Sequence, residues 1–145
     1  MFKHLLLPID GSATSEVAIR QAMSLAKDSG ARVTGLHVIQ PFHVFAYDVE
    51  MIEDTHVTYM SQAQARAERY LEAIDKAAKE WGVTCETNVV TDDHPYEAII
   101  RTAKARGCDL IVMSSHGRSG MKALLLGSET QKVLTHSKLP VLVLR

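Results

Sequence analysis

Short apolar runs alternate along the chain with longer segments in which apolar positions recur every three or four residues. The runs are Lys3–Ile9, Arg32–Ile39, Thr84–Val90, Asp109–Met113 and Val141–Leu144. LLLPI, LIVM and VLVL within them are near-continuously apolar, the pattern of strands buried on both faces of a parallel sheet. TCETNVV alternates instead and predicts an edge strand. Between the runs, Glu16–Lys27 places Val17, Ile19, Ala22, Met23, Leu25 and Ala26 in one broad stripe, which predicts an amphipathic helix. Ser61–Trp81 does the same with Ala67, Leu71, Ile74, Ala78 and Trp81. Pro95–Ala105 opens with proline, suited to a first helical turn, and Ser128–Thr135 is the fourth helix. Gly30, Gly82 and Gly107 each close a helix just before a strand, as left-handed caps do. This repeated phrase predicts an α/β fold with a parallel, doubly wound sheet and right-handed crossovers. Gln40–Thr55 has no clean period; it reads as a lid or a connection, its aromatics packed on the fold.

Composition narrows the partners. At 145 residues one domain, 1–145, is expected, with enough core to fold without disulfides or metal. The formal net charge of −1 argues against an extended nucleic-acid or anionic-lipid footprint, since both need clustered cations. Cys85 and Cys108 form no CxxC, and the first apolar run is too short for a signal h-region or a membrane span. A reduced, cytoplasmic protein is the expectation.

In doubly wound sheets, ligands bind beyond the carboxyl ends of the strands. The segment after the fourth strand, MSSHGRSGMKALLLGS (113–128), is rich in glycine and serine there. Backbone N–H groups in such a loop and at a helix start favour phosphate oxygens; Arg118 adds charge. The competing reading is local: Ser128 and Gln131 match a capping box, and Gly117 and Gly120 suit turns. Asp10, in PIDGS, suits either a ribose or base contact or an Asx-turn before the helix near Ser12. His116 suits a phosphate contact, acid–base chemistry or a local bond. No pair of histidines has metal-ligand spacing, so no side-chain metal cage is expected. The P-loop, the dinucleotide fingerprint and the G-x-S-x-G elbow are absent. Both cysteines read as structural.

From PIDGS through LHVI (36–39) to DLIVMSSHGRSGMKALLLGS and KLPVLVLR, the whole chain resembles the universal stress protein family, universal stress protein A-like. The resemblance implies a Rossmann-like sheet of the adenine nucleotide alpha hydrolase type, with strand order 3-2-1-4-5 and helices on both faces. The ATP-binding branch carries G-x2-G-x9-G-[ST]; Gly117, Gly127 and Ser128 match its later positions, and Ser114 stands at the first glycine. By that resemblance Pro8, Ile9 and Asp10 would line the base and ribose side, and Val38 would meet adenine through its backbone. Met113 and Ser114 would border the ribose. Gly117, Gly127, Ser128 and Glu129 would hold the triphosphate through backbone N–H groups and the Ser128 hydroxyl, Glu129 only through its N–H because its carboxylate would repel phosphate, with Arg118 beside them. ATP or another adenine nucleotide would bring Mg²⁺ or Mn²⁺ through its phosphates. A homodimer through 141–144 is also implied. Three functions follow as alternatives: an ATP-binding stress-response regulator, a slow ATPase or autophosphorylating enzyme, and a dimerisation module without nucleotide.

Overall fold

The computed structural model describes residues 1–41, 49–116 and 126–145. Five strands and four helices alternate: β1 (His4–Pro8), α1 (Ala13–Ser29), β2 (Arg32–Ile39), α2 (Val49–Trp81), β3 (Cys85–Thr91), α3 (Pro95–Arg106), β4 (Leu110–Ser114), α4 (Ser128–His136) and β5 (Val141–Leu144). The strands form one sheet in the order β3-β2-β1-β4-β5, every pairing parallel. Both the doubly wound α/β architecture and the strand order agree with expectation.

The strand period of two explains why the central runs are apolar throughout. Leu5 and Leu7 point to one face with Val33, Leu110 and Val112, beneath α1 and α2. Leu6 points to the other with Leu36, Ile111 and Met113, beneath α3 and α4. Leu5, Leu6 and Leu7 are all fully buried, because helices cover both sides of β1. β3 lies at an edge, as its alternation predicts.

Gly30 ends α1 at φ +67, a left-handed conformation that lets the Ala31 N–H reach the Ala26 carbonyl at 2.8 Å. α2 begins at Val49, a full twelve positions before the periodic signal at Ser61. Thr55–Thr58 are exposed, so in this first part these four positions add nothing to a buried stripe. No proline or glycine interrupts it, so the backbone has no reason to leave the helix. The aromatics Phe42, Phe45 and Tyr47 lie outside the described residues.

The chain steps from β1 outward to β2 and β3, then crosses back to β4 and β5 on the far side of β1. The β1–β4 junction is therefore the switch point, where the connections diverge and leave a crevice.

Candidate functional site

A cavity of about 430 Å³ opens at this switch point, beyond the carboxyl ends of β1, β2 and β4 and between α2 and α4. That volume suits a ligand of nucleotide size. Pro8, Ile9, Asp10, Val38, Met113, Ser114, Gly127, Ser128 and Glu129 all line it. Gly117 and Arg118 lie outside the described residues.

Where β1 ends, the Asp10 carboxylate accepts the Ser12 N–H at 3.0 Å and the Ser15 hydroxyl at 3.2 Å through one oxygen, Oδ1. The first bond is the Asx-turn weighed from sequence. Gly11 follows at φ +79, and a Cβ there would overlap the Tyr70 ring of α2. The position therefore requires glycine for both its conformation and its close contact. Tyr70 meets His37 edge-on at 5.1 Å, and His37 Nδ1 lies 2.9 Å from the Ile9 carbonyl oxygen. This stack fixes the floor of the cavity.

β2 runs past the end of β1. The Leu36 carbonyl accepts the Ile9 N–H at 2.9 Å on the β1 side, and the Ile39 carbonyl accepts the Asp92 N–H at 2.9 Å on the β3 side. Peptide groups alternate in direction along a strand, so those of Val38 face β1, where the chain has already turned away. The Val38 N–H and C=O have no backbone partner among the described residues. One donor and one acceptor thus lie side by side at the cavity.

At β4 and α4 the backbone corrects one expectation. The Gly127 N–H donates inward to the Ser115 carbonyl at 2.6 Å. It is therefore not a free phosphate donor. That buried carbonyl needs a partner where the chain re-enters from β4 into α4. Gly127 is the N-cap, no side chain caps α4, and the first intrahelical bond runs from the Gln131 N–H to the Gly127 carbonyl. The capping box does not form, because Ser128 is already inside the helix. Gln131 Nε2 donates instead to the Leu126 carbonyl at 3.0 Å. The amides of Ser128, Glu129 and Thr130 are left at the positive end of the helix dipole.

Side chains hold that terminus in place. The buried Thr130 hydroxyl donates to the Ser114 carbonyl at 2.9 Å, tying α4 to β4. The Glu129 carboxylate accepts the Tyr96 N–H at 2.9 Å, capping α3, and the Lys132 ammonium at 3.2 Å. Ser115 and His116 form a side-chain pair, Oγ to Nδ1 at 2.9 Å, which no sequence motif revealed. Thr14 Oγ1 donates to the His116 carbonyl at 3.0 Å. His116 Nε2 is buried without a partner among the described residues, and the residue lines the cavity.

The wall supplied by α2 was not anticipated. Tyr59, Ala63 and Arg66 line the cavity at spacings of four and three, one helical stripe. The sequence pattern marked Ala67, Leu71, Ile74, Ala78 and Trp81 as the apolar face of this helix, and only the fold shows which other positions meet the crevice. Burial pushes the Cys85 and Cys108 thiols up to about 11, so both are protonated near neutrality, as structural cysteines are. Among the described residues no group of three or more His, Cys, Asp or Glu is placed to hold a metal ion.

The profile of the Universal stress protein family matches residues 1–145. The universal stress protein YxiE of Bacillus subtilis is 34% identical, with both chains covered in full. The structure of MJ0577, a universal stress protein of Methanocaldococcus jannaschii, superposes with a TM-score of 0.85 at 31% identity, covering 99% of this chain and 96% of that one. Two further structures share the fold. One is a universal stress protein in complex with cAMP, with a TM-score of 0.72 at 24% identity, covering 99% and 97%. The other is from Archaeoglobus fulgidus in complex with dAMP, with a TM-score of 0.65 at 20% identity, covering 99% and 98%.

Proposed function

The chain belongs to the universal stress protein family, and from that premise we propose that it is a regulatory module that binds ATP in the β1–β4 crevice. One observation carries the reading. A single cavity has unpaired amides at the uncapped start of α4 and an unpaired peptide at Val38 on its far side. The α4 amides suit phosphate oxygens, and they do so without any surplus of basic residues. The Val38 N–H and C=O suit the edge of adenine, which offers a ring-nitrogen acceptor beside an amino donor. Two structures of the same fold that hold cAMP and dAMP support an adenine nucleotide as the ligand. A divalent ion would be held by the phosphates and water, and it would neutralise their charge beside Asp10.

Occupancy would be read by a partner through a change in conformation or in pairing between two copies. β5 suits that pairing. Among the described residues it bonds to β4 alone, and Leu142 is 38% exposed on it. An open apolar edge is stabilised by a second strand. Among the described residues no helix is long and apolar enough to cross a membrane, and the proposed setting is the cytoplasm.

A second reading, slow hydrolysis of ATP, is favoured by His116. Ser115 orients its ring and its Nε2 has no partner at the cavity. Such chemistry also requires in-line attack and charge stabilisation. Steady phosphate release from ATP and Mg²⁺ that His116→Gln abolishes would select it; a rate indistinguishable from buffer would leave the regulator. For binding itself, the test is calorimetry with Gly127→Val. Gly127 has φ −58, which valine accepts, and the branched side chain at the start of α4 is expected to block the phosphate approach. Loss of ATP binding is expected; unchanged affinity would remove α4 from the site.

A further inference from the structure

Arg66 stands on the cavity wall with nothing to pair with. It is half-buried on α2, and it makes no ion pair or hydrogen bond among the described residues. Its helical neighbours at three and four positions are Gln62, Ala63, Arg69 and Tyr70, so no carboxylate on its own helix can reach it. A guanidinium held at an apolar wall without a partner costs free energy, and a ligand that contacts it recovers part of that cost.

Its place decides what it contacts. Ala63, one turn earlier, packs with Ile39 and Ala67 over the end of β2. The α4 amides lie beyond β4, to which Thr130 ties them. β1 separates β2 from β4 in the sheet, so the strands beneath the two groups stand about 10 Å apart, two strand spacings. A nucleotide with its phosphates at α4 therefore brings its base, not its charge, to Arg66. Ala63 is small and 5% exposed, and it leaves a slot flanked by Tyr59 and Arg66. Tyr59 is braced there by its hydroxyl, which donates to the Gln40 carbonyl at 3.1 Å.

We propose that Arg66 is a specificity residue that lays its guanidinium plane on the face of the purine, while the Val38 peptide reads the purine's edge. This rests on the nucleotide reading above and adds the residue that selects a planar aromatic head group. Planarity matters: a guanidinium stacks on an aromatic ring, whereas a lysine ammonium is a hydrated point charge.

The experiment compares wild type, Arg66→Met and Arg66→Lys by calorimetry against ATP, adenosine and inorganic tripolyphosphate, with melting temperatures as a control. Methionine keeps length and helix propensity, so the melting temperature is expected to hold. ATP and adenosine are expected to weaken together by roughly tenfold in Arg66→Met, with tripolyphosphate unchanged and no rescue by lysine. Weakened tripolyphosphate with adenosine spared, or full rescue by lysine, would make Arg66 a phosphate contact and overturn the proposal. So would unchanged affinities in Arg66→Met beside a wild type that binds. A wild type that binds neither ATP nor adenosine would overturn the nucleotide reading and this one with it.

Discussion

The two ends of the sheet use similar residues to opposite effect. At the amino end His4, Thr34 and Glu86, from three neighbouring strands, join in a chain. His4 Nε2 meets Thr34 Oγ1 at 2.7 Å, and that hydroxyl donates to Glu86 at 3.0 Å. Arg106 closes the chain on Glu86 at 3.4 Å. Asp109 accepts the Lys3 and His4 amides at 2.9 and 3.0 Å. At the carboxyl end a histidine, a threonine and a glutamate recur as His116, Thr130 and Glu129. There they brace a cavity and leave the α4 amides and the Val38 peptide bare. Polar side chains at the closed end bond to one another, with His4 Nδ1 left over among the described residues. Those at the open end hold the backbone in place, and on the nucleotide reading the backbone's own groups are what the ligand would meet. The residue types alone do not separate the two cases; the presence or absence of partners does.

The comparison can be broken first at Gly11, where the largest loss of stability is expected. In Gly11→Ala the methyl group meets the Tyr70 ring and the backbone keeps its left-handed φ. The expected cost is about 3 kcal/mol, read by urea unfolding. Displacing Tyr70 moves His37, so ATP affinity should fall too. A fully stable, fully binding variant would show that the floor of the cavity is not built on this contact.

Asp109→Ala sharpens the comparison from the other side. Two amides lose a charged acceptor, and stability should drop by about 2 kcal/mol. The length of β1 puts the cavity about 13 Å away, so ATP affinity should not change. Coupled loss of binding would mean that the two ends act as one unit.

The smallest effect is the pH response of the closed end. Thr34 spends its hydroxyl proton on Glu86, so His4 Nε2 must donate and Nδ1 carries the bare lone pair, buried without a partner. Burial lowers the His4 pKa, Arg32 and Arg106 lower it further, and Glu86 and Asp109 oppose them. The folded state therefore resists a proton that the unfolded chain accepts at about pH 6.5. The stability from neutral His4 is complete above that pH and falls as the pH drops toward the folded pKa. Asp109 belongs to a lower window. Burial raises its pKa, the Lys3 and His4 amides outweigh burial, and the net shift is downward. Its contribution is lost only below about pH 4. Urea midpoints at pH 7.5 and 5.5 should differ in wild type and converge in His4→Gln; a flat wild-type profile would contradict the assignment.

Much of the fold was legible because burial on both faces writes itself as unbroken apolar runs. Arg32–Ile39 and Val141–Leu144 coincide with β2 and β5, and the other strands shift by a residue or two at their ends. The early part of α2 was not legible, since exposed positions such as Thr55–Thr58 carry no stripe. Pro8, Asp10, Val38 and Ser128 were named through the family resemblance, and all four line the cavity. Arg66 was not. Nothing in its spacing says that its face of α2 meets the end of β2. The His4–Thr34–Glu86 chain was equally hidden, because its members are separated by 30 and 52 positions along the sequence.

The central claim is that the open end of the sheet takes an adenine nucleotide. Isothermal titration of ATP with Mg²⁺ into the purified wild-type chain tests it most directly. The prediction is saturable heat at about one ATP per chain, absent when Gly127→Val is titrated in its place. No heat from the wild-type chain at millimolar ATP would contradict the claim.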